Sequence, residues 1–389
     1  MQLLQFTENP PLALYIHLPW CVEKCPYCDF NSHGLKGGSI PERDYIDALL
    51  RDVERELPLI WGRPIETIFM GGGTPSLFSP EAIDRLMGGL RALLDLRFCT
   101  EVTIEVNPGT EMAGQLADYR AAGVTRASIG VQSFNERHLK RLGRIHDAKA
   151  AYRTIEAAQA AGLDSFNIDL MFGLPEQSST EALADLKTAL SFKPPHLSWY
   201  QLTLEPNTPF AAFPPVLPDD ETLDAMQADG LTLLQQAGFD HYEVSAFAQP
   251  RHQCQHNRNY WEFGDYLGIG AGAHGKVTLA GENRIERRIR TQHPSAFLAQ
   301  AGTEAAISAH TVPTDELPFE FMLNALRLMA GFDVPLFSAR TGLSIKVISE
   351  TLHQLEQDEL MTWSIARIQP TARGARYLND VLQRFIPEG

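Results

Sequence analysis

The chain has 389 residues and a formal net charge of −15; 44% of the residues are hydrophobic and 21% are charged. That balance excludes an extended disordered chain and leaves enough apolar side chains for a sizeable core, while the acidity disfavours nonspecific binding to nucleic acid or to an anionic membrane surface. No apolar run reaches the roughly 18 residues of a membrane span and no basic-then-apolar leader opens the chain, so the expected compartment is the cytoplasm, where thiols stay reduced.

Short apolar runs of strand character fall at 12–18 (LALYIHL), 66–70 (ETIFM), 101–106 (EVTIEV), 126–131 (RASIGV), 166–172 (FNIDLMF), 197–202 (LSWYQL) and 241–247 (HYEVSAF). Helical periodicity fills 42–57, 79–96, 148–163 and 180–192 between them. Strand–helix alternation means βαβ units and a parallel sheet. About six such units, with no GxGxxG after the first strand, predict an α/β fold built on a partial TIM-type (β/α)6 barrel. Barrel chemistry gathers at the C-terminal ends of the strands. The unusual segments sit there: PWCVEKC after strand one, GGGTP (71–75), EVNP (105–108), GVQS (130–133), NIDLMFGLP (167–175) and LTLEPNTP (202–209).

The character changes after residue 250. Residues 251–275 are rich in His, aromatics and Gly without a strand–helix beat, and GIGAGAHG (268–275) predicts a closely packed backbone turn. The basic runs RHLKRLGR (137–144) and RIERRIR (284–290) read as solvated helix faces. From about 315 the pattern is helix, helix, helix, hairpin at 360–371, then a last helix at 372–385, a winged-helix-like order. The segment IKVISETLHQLEQDEL carries both signs and no basic face, which favours packing or partner docking over DNA binding. The expected organisation is a barrel at 1–250, a linker region at 251–300 and a mainly helical C-terminal domain at 301–389.

Three of the five cysteines stand at Cys21, Cys25 and Cys28, spaced C-x3-C-x2-C, while Cys99 and Cys254 stand alone. A structural zinc site wants four ligands, usually as paired knuckles, and no second knuckle exists here. A [4Fe–4S] cube takes one thiolate per iron, so three cysteines leave one iron open. A zinc or disulfide cluster is the competing reading of the same thiols. GGGTP offers backbone groups that can approach a ligand closely.

Placed after the first strand of a barrel, this pattern resembles the radical S-adenosylmethionine (SAM) superfamily. The resemblance implies SAM chelated to the open iron, the amino group held by Gly72, Gly73 and Thr74, the ribose by Glu105, and further contacts from Gln132, Arg144 and Asp169. Tyr15 and Tyr27 flank the cysteines and are candidates to pack on cluster or SAM. YIHLPWC, CPYCDF, GGGTPS, GVQSFNERHLKRLGRIH, NIDLMFGLP and LGIGAGAHG together resemble the oxygen-independent coproporphyrinogen dehydrogenase family, and within it the haem-chaperone branch. Two features point to that branch. Phe30 stands where the dehydrogenases carry a fourth cysteine, and the first cysteine arrives by residue 21, with little room for their N-terminal extension. HNRNYW (256–261) matches an element of the chaperones, which implies haem iron ligated by His256 and the porphyrin packed on Tyr260 and Trp261. His252, Cys254 and His274 are the alternative haem ligands. The implied partners are haem and apo-haem acceptor proteins, with transient membrane-protein contact and a homodimer among the expectations. The alternative function is the dehydrogenase itself, in which a 5′-deoxyadenosyl radical attacks a propionate side chain of coproporphyrinogen III.

Overall fold

The computed structural model describes residues 4–35, 38–109 and 112–387. Six parallel strands stand side by side in chain order: β1 (Leu12–Leu18), β2 (Ile65–Gly72), β3 (Glu101–Val106), β4 (Arg126–Gln132), β5 (Ser165–Phe172) and β6 (His196–Gln201). Helices α1 (Glu42–Glu56), α2 (Pro80–Leu93), α3 (Met112–Ala122), α4 (Ala148–Ala160) and α5 (Ser179–Ser191) make the crossovers. The helix starts are written locally: Ser79 caps α2 with Pro80 in its first turn, and Ser178 with Glu181 forms a capping box on α5. The strands are mostly buried, which suits their apolar runs. Leu12, Leu14, Ile16 and Leu18 of β1 share one core with Tyr45, Ile46, Leu49 and Val53 of α1.

Both flanks of this half-dozen are extended. HYEVSAF, expected as one strand, turns at 244–245 into β7 (Asp240–Glu243) and β8 (Ala246–Ala248), with β8 antiparallel to β6. The next helices are α6 (Asp220–Gln236), before this hairpin, and α7 (Gln255–Trp261), after it. At the other flank, β9 (Asp265–Ile269) runs parallel to β1. It is followed by antiparallel β10 (His274–Leu279), β11 (Arg284–Arg290) and β12 (Ile307–Thr311). The region 251–300 is therefore no linker: it supplies α7 and three strands of a twelve-stranded sheet.

RIERRIR is β11 rather than a solvated helix face. Arg290 is 2% exposed and donates to Asp52 of α1 at 2.9 Å, and Arg288 pairs with Glu56 at 2.9 Å. Buried charges persist when paired in this way, and no composition count can see the carboxylates waiting on α1. RHLKRLGR likewise is helical only over Glu136–Arg141, and Arg144 is drawn inward.

The C-terminal part holds α8 (Leu317–Ala325), α9 (Val334–Thr341) and α10 (Ser349–Gln357). A small sheet joins them: β13 (Phe332–Asp333), β14 (Met361–Trp363) and β15 (Arg367–Pro370). The winged-helix-like order is present, with the last helix split at Tyr377. Phe321, Phe337, Leu352 and Ile368 form its core together with Phe263 and Ile285 from the strand-rich flank. No helix among the described residues is long and apolar enough to cross a membrane.

Candidate cluster and cofactor site

The pairing of β1 with β2 sets Leu18 opposite Gly72, so the loop leaving β1 meets the turn leaving β2. Gly73 N donates to Leu18 O at 2.9 Å and Thr74 N to Trp20 O at 2.7 Å. Only glycine fits this crossing. Gly72 has φ +111°, and a Cβ there would meet the His17 ring at 2.4 Å; one on Gly73 would meet Trp20 O at 2.5 Å.

The loop carries Cys21, Cys25 and Cys28 as free, half-buried thiols lining one cavity of about 680 Å³. Each sulfur has its own polar neighbour. Thr74 Oγ1 donates to Cys21 Sγ at 3.4 Å, Arg144 Nη1 to Cys25 Sγ at 3.7 Å, and Ser32 Oγ lies 4.0 Å from Cys28 Sγ. Burial pushes the Cys21 and Cys28 thiols up. Among the described residues, no three His, Cys, Asp or Glu side chains gather tightly enough for a single ion. Three thiols on one loop lining one cavity, with Thr74 and Arg144 donating to two of them, fit a cube that takes one thiolate per iron. Cys99 and Cys254 do not line the cavity; their thiols turn to Glu101, one to its carbonyl and one to its carboxylate.

Gly72, Gly73, Thr74, Glu105, Gln132, Arg144 and Asp169 all line the same cavity. Gly72 N donates to Glu105 Oε2 at 3.1 Å, which aims the carboxylate across the glycine turn. Burial, with the charge of Asp169 adding, pushes the Glu105 carboxyl up to about 7. Gln132 ends β4 at φ +67° and accepts from the Tyr200 hydroxyl at 2.7 Å. Arg144 Nη2 donates to Asn107 Oδ1 and Gly130 O, both at 2.8 Å, and Asn107 Nδ2 donates to Thr74 Oγ1 at 2.9 Å. Asp169 accepts from Ser128 Oγ at 2.9 Å and Asn167 Nδ2 at 2.7 Å. Asn107, within EVNP, and Tyr200, within LSWYQL, also line the cavity, though the sequence alone singles out neither residue. Polar side chains inside otherwise apolar strand ends were the available signal.

The two tyrosines part company. Tyr27 lines the cavity, whereas Tyr15 sits behind Phe69 with its hydroxyl 3.1 Å from His17 Nδ1. Tyr15 thus stands in the second layer of the wall, one ring behind the cavity lining.

The HNRNYW segment is α7, a helix held by Glu101 rather than by a cap of its own. The Glu101 carboxylate accepts Gln255 N and His256 N, both at 3.0 Å, and the Cys254 thiol at 3.4 Å. His256 is 7% exposed and does not line the cavity. Its Nδ1 lies 3.0 Å from Thr67 Oγ1 and its ring packs 5.1 Å from Phe69. Burial, with Arg126 adding, pushes its imidazole down to about 3. The expected haem ligand is therefore a buried ring in the wall behind Phe69, with Nδ1 turned to Thr67. Tyr260 packs on Trp261 and Tyr266, and of the pair only Trp261 reaches the cavity. His252 is partly exposed, Cys254 is buried and His274 is exposed at the start of β10.

A parallel (β/α)6 sheet carrying a three-cysteine loop beside a glycine turn defines a radical SAM protein. Residues 15–189 match the radical SAM superfamily, and residues 312–377 match the HemN C-terminal domain. The heme chaperone HemW of Escherichia coli (strain K12) is 51% identical over 379 residues, covering 97% of this chain and 99% of that protein. The heme chaperone HemW of Bacillus subtilis (strain 168) is 32% identical, with 97% and 99% covered. The coproporphyrinogen III oxidase HemN from Escherichia coli superposes with a TM-score of 0.81 at 24% identity, over 97% of this chain and 90% of that one, a likeness of fold. The chain belongs to the HemW family of heme chaperones.

Proposed function

We propose that this protein is a cytoplasmic haem chaperone. It holds a [4Fe–4S] cluster through Cys21, Cys25 and Cys28, binds SAM beside it, and delivers haem to apo-haem proteins. The observation that carries the reading is a single cavity shared by the three thiols and by Gly72–Thr74, Glu105, Gln132, Arg144 and Asp169. The bound cluster supplies an open iron for the amino and carboxylate groups of SAM. The chain's own groups do the positioning. The Gly72–Gly73 turn receives the amino group, Glu105 accepts from the ribose hydroxyls, and Gln132 and Asp169 face the nucleoside. Arg144 links Cys25 to Asn107 and so couples cluster loop and SAM wall.

Haem contact on α7 falls to Trp261, with His256 as the residue that anchors the helix. Residues 1–250 would carry cluster and SAM, and 301–389 would dock partners. A cluster-dependent homodimer and brief contact with membrane-bound acceptors complete the reading. Phe30, 64% exposed at the cavity mouth, supports it over the dehydrogenase alternative, because no fourth thiol is available in the loop. The test incubates reduced, cluster-loaded protein with SAM and coproporphyrinogen III, and in parallel offers haem-loaded protein to an apo-haem enzyme. Haem transfer without protoporphyrinogen formation is expected; protoporphyrinogen at enzymatic turnover would replace this reading with the dehydrogenase.

A further inference from the structure

Away from the cysteines the cavity continues to a second end that the cluster and SAM contacts leave unused. Arg126, the first residue of β4, lines it and is 3% exposed. Its Nε is buried without a partner among the described residues, and so is Nε1 of Trp261, which lines the same end. Asn257 and Arg327 complete this end.

The acceptors nearby are already engaged. Asn167 Oδ1 takes His196 Nδ1 at 2.7 Å, and His196 Nε2 takes the Tyr242 hydroxyl at 2.8 Å. Glu243 holds Arg327 at 2.8 Å, with the guanidinium 4.5 Å from the Trp261 ring. Glu101 is spent on the start of α7 and on Cys254, and reaches Arg126, as Asp169 does, only at longer range. What remains is a pair of unpartnered N–H donors, one of them on a guanidinium whose nearest carboxylates, Glu101 and Asp169, are hydrogen-bonded elsewhere. A buried guanidinium without a hydrogen-bonded anion is costly, and its planar fork matches a carboxylate.

We propose that this end of the cavity is a carboxylate site, with Arg126 as the charged donor and Trp261 Nε1 as the second. Its ligand is a molecule whose apolar body lies along Trp261 and Phe69 and whose carboxylate tip reaches Arg126. Resting on the haem-chaperone reading, the ligand is the porphyrin and the tip one of its propionates; a free small carboxylate is the other source of the same chemistry.

The experiment titrates cluster-loaded wild type, Arg126→Gln and Trp261→Phe with haem, with metal-free protoporphyrin and with the dimethyl esters of both. Wild type should prefer the free acids over the esters by about tenfold or more, the scale of a charge-assisted hydrogen bond. Arg126→Gln should bind acid and ester alike, and Trp261→Phe should show a smaller loss of preference. SAM affinity and cluster absorbance should be unchanged in Arg126→Gln. An acid preference that survives in both variants overturns the site while the haem reading stands. If wild type binds no haem, the haem reading fails, and added propionate decides the site separately. A rise in Tm for wild type but not for Arg126→Gln supports it, and equal behaviour of the two overturns it. Should Arg126→Gln not fold, Trp261→Phe carries the test, because the indole N–H is removed with its ring surface largely kept.

Discussion

The hydroxyl of Thr74 donates to Sγ of Cys21 across 3.4 Å, tying the glycine turn after β2 to the cysteine loop after β1. Hydrogen bonds to a cluster's sulfurs favour its more reduced, more negative state. Thr74→Val removes the donor and nearly keeps the volume. The midpoint potential of the reconstituted cluster should fall by on the order of 60 mV, the equivalent of about tenfold in a one-electron equilibrium. A redox titration followed by EPR reads this, and an unmoved potential would detach Thr74 from the cluster.

Cys21→Ala, Cys25→Ala and Cys28→Ala should each lose the cluster absorbance after anaerobic reconstitution, whereas Cys99→Ala should keep it, because Cys99 lies off the cavity. Retention of about four irons per chain in any of the first three variants would overturn the assignment.

Glu105 gives a pH dependence with a definite sign. Its ordinary value is 4.5, and burial raises it to about 7 in the fold. Below the unfolded value the carboxyl is neutral in both states and folding is not penalised. Between about 4.5 and 7 the unfolded chain gives up this proton while the folded protein keeps it, so stability falls as the pH rises and levels off above about 7. Glu105→Gln is neutral throughout. It should be more stable than wild type at pH 8, by at most about 3.5 kcal/mol at roughly 1.4 kcal/mol per pH unit, with the gap closing toward pH 5. Urea unfolding across that range checks it; a gap of constant size would mean that the charge of Glu105 is not what matters.

His256→Ala should act through the wall. Losing the Thr67 hydrogen bond and the Phe69 contact should cost about 2–3 kcal/mol of stability. The absorption spectrum of bound haem should keep its ligand signature. A lost signature at unchanged Tm would return His256 to the iron.

The barrel was legible because its units repeat: LALYIHL is β1 at 12–18 and EVTIEV is β3 at 101–106, residue for residue. Period and length sufficed there, since the core asks only for apolar side chains. The cysteine and glycine motifs were legible for a different reason, because each is a local requirement of spacing or of backbone approach. What stayed hidden depends on partners far along the chain. Arg290 reads as surface charge until Asp52 arrives from 238 residues away. His256 reads as a loop side chain until Thr67 and Phe69 are seen to pack beside it. Arg126 reads as the start of a strand, and only the assembled cavity gives it a direction.

Phe263 and Ile285 lie on the strand-rich flank, yet they belong to the C-terminal core beside Phe321 and Phe337. The recognisable family segments at 15–189 and 312–377 invite cutting the chain between them, but this shared core gives no clean place to cut. A chain shortened to end near residue 310 would present Phe263 and Ile285 to water. It should be sticky and poorly soluble even though every cluster and SAM residue is retained. Modular swaps within the family should therefore exchange the C-terminal helices together with the strands they rest on.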